Sequence, residues 1–423
     1  MKVGLEYGRQ GLVVDLPDAN VRQVLELKPM TPLEAPREAV AESLRHPIGG
    51  RPLAELARPA RKACVVVCDI TRPVPNKIIL PPLLECLESS GLAKEDITLL
   101  IATGSHRPNW GAELEEMIGA DLARTYRVVN HEARNEAEQG YVGRTSRGVE
   151  VYVNKTYLEA DLKIITGLIE PHFMAGWSGG RKIVCPGITA LKTVYYFHSP
   201  ALLEDERATN GILEGNPCHE MALEVAHLAG VDFSLNVVID QQRRIAGVFA
   251  GDLEEAHLAG VAFAEQFCRV PVPEPVDIVV TTSAGYPLDA TFYQAVKGLV
   301  GALPILKPGG TVIEAAELSE GIGGPEFTQM LMETNHIEEF LQKILQPGFF
   351  LKDQWEVEML ARVLRRGEVL IYEEGVPPEE MAQCLVTPVP SVEEGVQQAL
   401  AKHGPHATIA VIPAGPYLIP YVE

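Results

Sequence analysis

KACVVVCDITRPVP, residues 62–75, opens with an unbroken apolar run and closes on a proline-stiffened turn. A strand buried on both faces reads this way, and such strands belong to parallel sheets covered by helices. The flanking chain keeps the same rhythm. NKIILPPLLECLESSGL (76–92) fits a helix, with Asn76 as its expected N-cap and Gly91 as its stop. DITLLIAT (96–103) is the next strand, NWGAELEEMIG (109–119) the next helix and YRVVNHE (126–132) a third strand. One or two more strands lie in 149–169, and 187–197 fits a helix. Residues 233–252 read as a hairpin, followed by a helix over 252–267.

Upstream, VGLEYG (3–8) and GLVVDLP (11–17) suggest a short β unit, with a helix near 38–46. Downstream, PVPEPV (271–276) places three prolines in six residues and reads as a linker. A second alternation starts there: strand 277–285, helix 289–303, strand 309–317, then strands near 368–373 and 407–413. Alternating strands and helices imply parallel sheets. The expectation is therefore an α/β protein of two α/β domains, with an active-site cleft between them. Residues 1–270 would form the N-terminal domain, 271–276 the linker and 277–423 the C-terminal domain. The last ten or so residues would return to the first domain.

Composition narrows the partners. The chain has 423 residues, 57 acidic against 36 basic, and a formal charge of −21. Nucleic acid and anionic membrane both need a basic face, so neither is expected. A small anionic substrate is still compatible, because a few local Arg and Lys can dominate one pocket. The opening MKVGLEYGRQG has no signal-peptide pattern, and no apolar run reaches spanning length. Seven cysteines without a CxxC fit a reducing, cytoplasmic location.

In parallel sheets, ligands bind beyond the carboxyl ends of the strands. The unusual segments all fall there. Asp69, Ile70, Thr71 and Arg72 follow the first buried strand. Asp69 and Arg72 could grip a phosphate-sugar and a carboxylate, or simply pair to stabilise the turn. His106 lies in ATGSHRP, after a glycine that lets backbone approach a ligand, or it is a surface histidine. EPHFMAGWSGGRK (170–182) brings His172, three glycines able to wrap an anion, and Lys182 beside Arg181. A cationic neighbour favours a lowered amine pKa and nucleophilic use; the alternative is two solvated cations. His198 ends a helix behind two tyrosines and Phe197, as a metal ligand or a helix-terminal cation. In the second domain Asp289, Tyr293 and Lys297 repeat at four, with Gln294 beside them, on one face of a helix. That face could bind an anionic, hydroxylated substrate or be ordinary solvated surface. Three histidines could hold zinc, but their spacing matches no compact zinc signature.

Together, DITRPVP (69–75), TGSHRP (103–108), EPHFMAGWSGGRK (170–182), FHSP (197–200) and YQAVKG (293–298) resemble the nickel-pincer-dependent lactate racemase family over nearly the whole chain. The resemblance implies an isomerase that racemises or epimerises a 2-hydroxy acid through a 2-keto acid, by hydride transfer. It implies a covalently bound nickel-pincer nucleotide, of the nickel pyridinium-3,5-bisthiocarboxylic acid mononucleotide type. Lys182 would be its attachment site and His198 its protein ligand to nickel. Residues 69–72 would contact the cofactor. His106 and His172 would be the paired acid and base, one per face of the substrate. Arg72, Tyr293, Gln294 and Lys297 would bind substrate. Gln354 and Trp355 could line the pocket for its side group, or Trp355 packs at a domain contact. Cofactor-biosynthesis proteins would be maturation partners. The alternatives are a nicotinamide-dependent 2-hydroxyacid dehydrogenase, which lacks a GxGxxG unit here, a zinc hydrolase, and a non-catalytic cofactor- or anion-binding protein.

Overall fold

The computed structural model describes residues 1–346 and 349–423. It is α/β throughout and falls into two compact units. The amino-terminal unit comprises Pro29–Glu170 and Ala175–Phe267; the carboxy-terminal unit comprises Met1–Lys28, Pro171–Met174 and Cys268–Glu423.

The amino-terminal unit is built on a six-stranded sheet. Its order is Ile245–Gly251, Phe233–Ile239, Leu162–Leu168, Ala63–Cys68, Ile97–Ala102, Arg127–Asn130. All neighbours are parallel except the Phe233–Ile239/Ile245–Gly251 hairpin. Strand Ala63–Cys68 is buried at every position because it pairs on both edges. That explains its lack of polar alternation.

The following helix, Asn76–Ser89, contains Pro81 and Pro82. A proline removes the N–H that would bond four residues back. Here the Arg37 guanidinium donates to the Lys77 carbonyl at 3.3 Å, replacing the bond Pro81 cannot make. Asn76 does not cap this helix. It is the first helical residue, and the Pro75 carbonyl accepts from Ile78 and Ile79 N–H instead.

The carboxy-terminal unit has a six-stranded, all-parallel sheet. Its order is Thr387–Pro388, Gly367–Tyr372, Leu306–Ala315, Val276–Thr282, Ile409–Ile412, Val21–Val24. The first 28 residues thus lie elsewhere than the sequence suggests. Val21–Val24 forms an edge strand of this sheet, and the hairpin Lys2–Leu5/Leu12–Asp15 buries Val3, Leu5 and Val14 with Ile278, Val280, Ile313 and Val411.

The proline-rich stretch is likewise no free linker. Arg269–Val272 pairs in parallel with Ile419–Val422, which keeps the last residues in the carboxy-terminal unit. Proline survives there because a two-stranded ribbon leaves each strand one unpaired edge.

Candidate active site

In the amino-terminal unit the parallel strands deliver their carboxyl ends to one side. A cavity open to solvent lies there, with Asp69, Arg72, His106, Ser178, Gly179 and Lys182 in its lining. Asp69 is buried and follows directly on strand Ala63–Cys68. Its Oδ1 accepts from the Thr71 hydroxyl at 2.6 Å and the Thr71 N–H at 3.2 Å. Its Oδ2 lies 2.7 Å from His106 Nδ1. A carboxylate can only accept, so Nδ1 carries the hydrogen and Nε2 is the nitrogen left to exchange a proton. Burial opposes ionisation of Asp69, but His106, Thr71 and Arg72 outweigh it and hold the carboxyl below its usual range. Arg72 itself leans on Glu170, 3.6 Å away.

The loop that carries His106 is pinned at both ends. Gly104 N–H donates to the Gly187 carbonyl at 2.9 Å. Asn109 accepts from Ile70 N–H at 3.3 Å and donates to Glu113 at 2.8 Å.

The glycine-rich run does not form the expected anion nest. The N–H groups of Trp177, Ser178, Gly180 and Lys182 are bonded to Ala175 O, Glu170 O, Asn236 Oδ1 and Gly179 O. The glycines serve close packing instead. At Gly180, with φ +50°, a Cβ would come within 2.8 Å of the His257 ring. Nor are Arg181 and Lys182 two solvated cations. Arg181 is 1% exposed, donates to Ala175 O at 2.9 Å and meets His257 Nε2 at 2.8 Å. Lys182, on the short turn Gly180–Ile183, is pushed down to about 7, by burial first and then by the charges of Arg72 and Arg181. About half of its amines are then unprotonated at neutral pH.

His198 ends helix Leu191–Phe197. Its Nδ1–H donates to the Val194 carbonyl at 2.9 Å, and its ring meets Phe197 edge-on at 4.8 Å. Burial, then the neighbouring Lys182 charge, push it down to about 3. The ring therefore stays neutral at physiological pH, with Nε2 as its lone-pair nitrogen. Among the described residues, no group of three or more His, Cys, Asp or Glu side chains is placed to hold a metal ion. A zinc site made from the three histidines gains no support.

A second set of side chains gathers in the carboxy-terminal unit. It includes His172, because the short segment Pro171–Met174 belongs to that unit. The two histidines expected as partners therefore sit on different units, not both in the N-terminal domain. His172 Nδ1 accepts from Met174 N–H at 3.2 Å, so the neutral ring carries its hydrogen on Nε2. Phe173 stacks on it at 5.3 Å, and the Lys297 ammonium lies 5.7 Å from the Phe173 ring.

Helix Phe292–Ala302 is capped by Thr291, whose hydroxyl accepts from Gln294 N–H at 3.3 Å. On its first turns Lys297 Nζ donates to Gln294 Oε1 at 2.5 Å, and the Tyr293 hydroxyl accepts from Trp355 Nε1 at 3.0 Å. Asp289 is not on this face. It precedes the helix, is fully buried, and accepts from Gly8 N–H at 2.6 Å and Glu317 N–H at 3.2 Å. Gln354 is also fully buried, its Oε1 taken by Leu351 N–H at 2.7 Å.

Sequence reasoning missed Thr291, Asn109 and His257. Only Thr291, a threonine three residues before Gln294 at a helix start, carried a readable signal.

Together these sets define the class: a two-unit α/β enzyme with two oriented imidazoles, a partly neutral amine and a lysine–glutamine pair. Comparison with known proteins specifies it further. The profile of the "Lactate racemase N-terminal domain" matches residues 7–211 and that of the "Lactate racemase C-terminal domain" matches 272–419. The lactate racemase of Thermoanaerobacterium thermosaccharolyticum is 35% identical over 417 residues, 98% of this chain and 97% of that protein. That of Lactiplantibacillus plantarum is also 35% identical over 417 residues, 98% of each. The lactate racemase apoprotein structure from T. thermosaccharolyticum superposes with a TM-score of 0.95, at 35% identity, over 99% of this chain and all of that one. A Thermotoga maritima protein at 20% identity, with a TM-score of 0.71 over 94% of this chain and all of that one, shares the fold. The chain belongs to the lactate racemase family, and is an isomerase of the racemase type.

Proposed function

We propose that the enzyme interconverts the enantiomers of lactate or a closely related 2-hydroxycarboxylate, using a nickel-pincer nucleotide attached at Lys182. The observation that carries this reading is the complementary state of the two imidazoles. His106 is held by Asp69 through Nδ1, which leaves Nε2 to act as the base. His172 is held by Met174 N–H with its hydrogen at Nε2, as a donor. A racemase needs one group to take the hydroxyl proton and another to return a proton after the planar keto acid has turned its other face. In the reverse direction the roles exchange.

The residues present suit the group. Lys182 offers an amine whose lowered pKa favours acylation. His198 offers a neutral imidazole nitrogen, a donor that suits nickel beside sulfur. When bound, the cofactor would accept the Cα hydrogen as hydride and return it, which avoids a carbanion next to a carboxylate. The remaining work falls to the chain. Lys297 and Gln294 hold the substrate carboxylate and hydroxyl, Tyr293 and Trp355 bound its side group, and Arg72 balances negative charge near the cofactor.

The test is to produce the chain together with its maturation proteins. Intact-mass analysis is expected to show an adduct on Lys182, with stoichiometric nickel and lactate racemisation, and K182A to show no adduct. An active preparation free of nickel would overturn the reading.

A further inference from the structure

Glu356 lies in the first turn of helix Gln354–Arg366, next to Trp355, and is 1% exposed. Its Oε1 has no hydrogen-bond partner among the described residues. A carboxylate withdrawn from water in this way is costly unless a cation faces it or a proton neutralises it. Helix Phe292–Ala302 packs against this helix, and the charge of its Lys297 favours the ionised form of Glu356. Tyr293, from that same helix, also feels the Glu356 charge.

Several of the other charged groups on and around this helix pair among themselves. Asp353, at its start, is 3.5 Å from Lys352. Glu326 on helix Pro325–Glu333 also pairs with Lys352, at 3.4 Å, and Glu338 on helix Ile337–Ile344 pairs with Arg365 at 3.4 Å. Glu314, on strand Leu306–Ala315, accepts from Ser283 at 2.8 Å. Glu358, two residues on, is fully buried.

We propose that Glu356 is a positioning residue for Lys297: protonated, it leaves the ammonium to the substrate carboxylate; ionised, it competes with that carboxylate for the same ammonium. The inference rests on the reading that Lys297 binds the substrate carboxylate. Burial pushes the Glu356 carboxyl up to about 8, against the opposing pull of Lys297 and with a further push from Asp353. An arriving substrate carboxylate takes Lys297 for itself and brings a second negative charge, so the pKa rises further. Above pH 8, binding therefore draws a proton from solvent onto a Glu356 oxygen. One anion enters the pocket as another is neutralised. Below about pH 7 Glu356 is neutral before and after binding, and no proton moves. Substrate affinity is thus level in the neutral range and falls as pH rises past 8.

The test is calorimetric titration of the cofactor-loaded full chain with racemic lactate, which gives no net turnover. It is run at pH 6 and pH 9, each in two buffers of different ionisation enthalpy. The expected result is uptake approaching one proton per lactate at pH 9 and close to none at pH 6. E356Q, which keeps the shape but cannot ionise, is expected to lose the uptake, and its Kd to stay level between pH 7 and 9 while that of the parent rises several-fold. Binding without uptake at pH 9, or uptake that survives in E356Q, would overturn the inference alone. The first of these needs no variant. Absence of lactate binding at both pH values would overturn the Lys297 reading and the inference together.

Discussion

Asp69 and Asp289 are both buried carboxylates that follow the carboxyl end of a central strand, and their partners separate their work. Asp289 binds two backbone N–H groups, of Gly8 and Glu317, and so ties the amino-terminal hairpin to its sheet. Asp69 binds a side chain that faces a cavity, and so fixes which nitrogen of His106 holds the proton. Asp69→Asn keeps the shape but can present an amide N–H to the ring and favour the wrong tautomer. We expect kcat to fall by about 100-fold or more, the range typical of a lost acid–base group, with the adduct on Lys182 still present by mass. Loss of the adduct as well would place Asp69 with the cofactor and not with the base. Lys182 gives a second test at this scale. With its pKa at about 7, its reductive methylation in the cofactor-free chain should be half-maximal near neutral pH. Ordinary surface lysines should lag by about three pH units. A Lys182 profile that tracks the surface lysines would remove the argument for a neutral amine.

At the scale of elements, what was legible followed from burial on both sides of a strand. The run Ala63–Cys68 announces a central parallel strand, and the position of Asp69, His106 and Lys182 just past strand ends announces a pocket. Strand Val21–Val24 announces nothing. It is three half-buried residues and an exposed Arg22 on a sheet edge, and its partner Ile409–Ile412 lies at the other end of the chain. No local pattern encodes such a pairing. The same holds for Pro171–Met174, four residues that carry His172 into the other unit. Glu356 sits in an amphipathic-looking helix, and only the packing of that helix against its neighbours, Phe292–Ala302 among them, makes it buried. Helix Phe292–Ala302 itself gives a clean test, because its start rests on Thr291. Thr291→Ala should cost about 1 kcal/mol in denaturant unfolding. It should also fray the turn that carries Tyr293 and Gln294. The expected kinetic result is a KM for lactate that rises more than kcat falls, with Thr291→Ser restoring both. A purely structural role would lower stability and leave KM alone.

At the scale of the whole molecule, the net charge of −21 and the buried histidines pull in opposite directions as pH falls. Acidification protonates carboxylates and relieves self-repulsion, which favours the compact state. The histidines act the other way. His131 is held at about 4 by burial, with its Nε2–H donated to Thr189 O at 2.9 Å. His198 is held at about 3, and His257 well below its ordinary value, again by burial first. Each is neutral when folded and titrates near 6.5 when unfolded, so between those values the unfolded chain binds more protons. Stability contributed by these rings is complete above about pH 6.5 and is lost as pH falls toward 4. One such ring loses up to about 1.4 kcal/mol per pH unit in that window. The lowered carboxylates Glu113, Asp205 and Asp277, all near 2, add their loss only below about pH 4. Surface repulsion is screened by salt and buried desolvation is not, so the histidines should prevail at physiological ionic strength. Glu314 and Glu356 oppose the rings: burial raises both carboxyls, so each gains stability as pH falls toward its unfolded value of about 4.3. With three such rings against two such carboxyls, the thermal midpoint of the cofactor-free chain, followed by calorimetry from pH 7.5 to 4.5, is expected to rise slightly to about 6.5 and then fall. His131→Gln, which can keep a donor toward Thr189 O, should start lower and fall less steeply. A midpoint that keeps rising below pH 6.5 would show that carboxyl protonation and relief of charge repulsion outweigh the burial of neutral imidazoles.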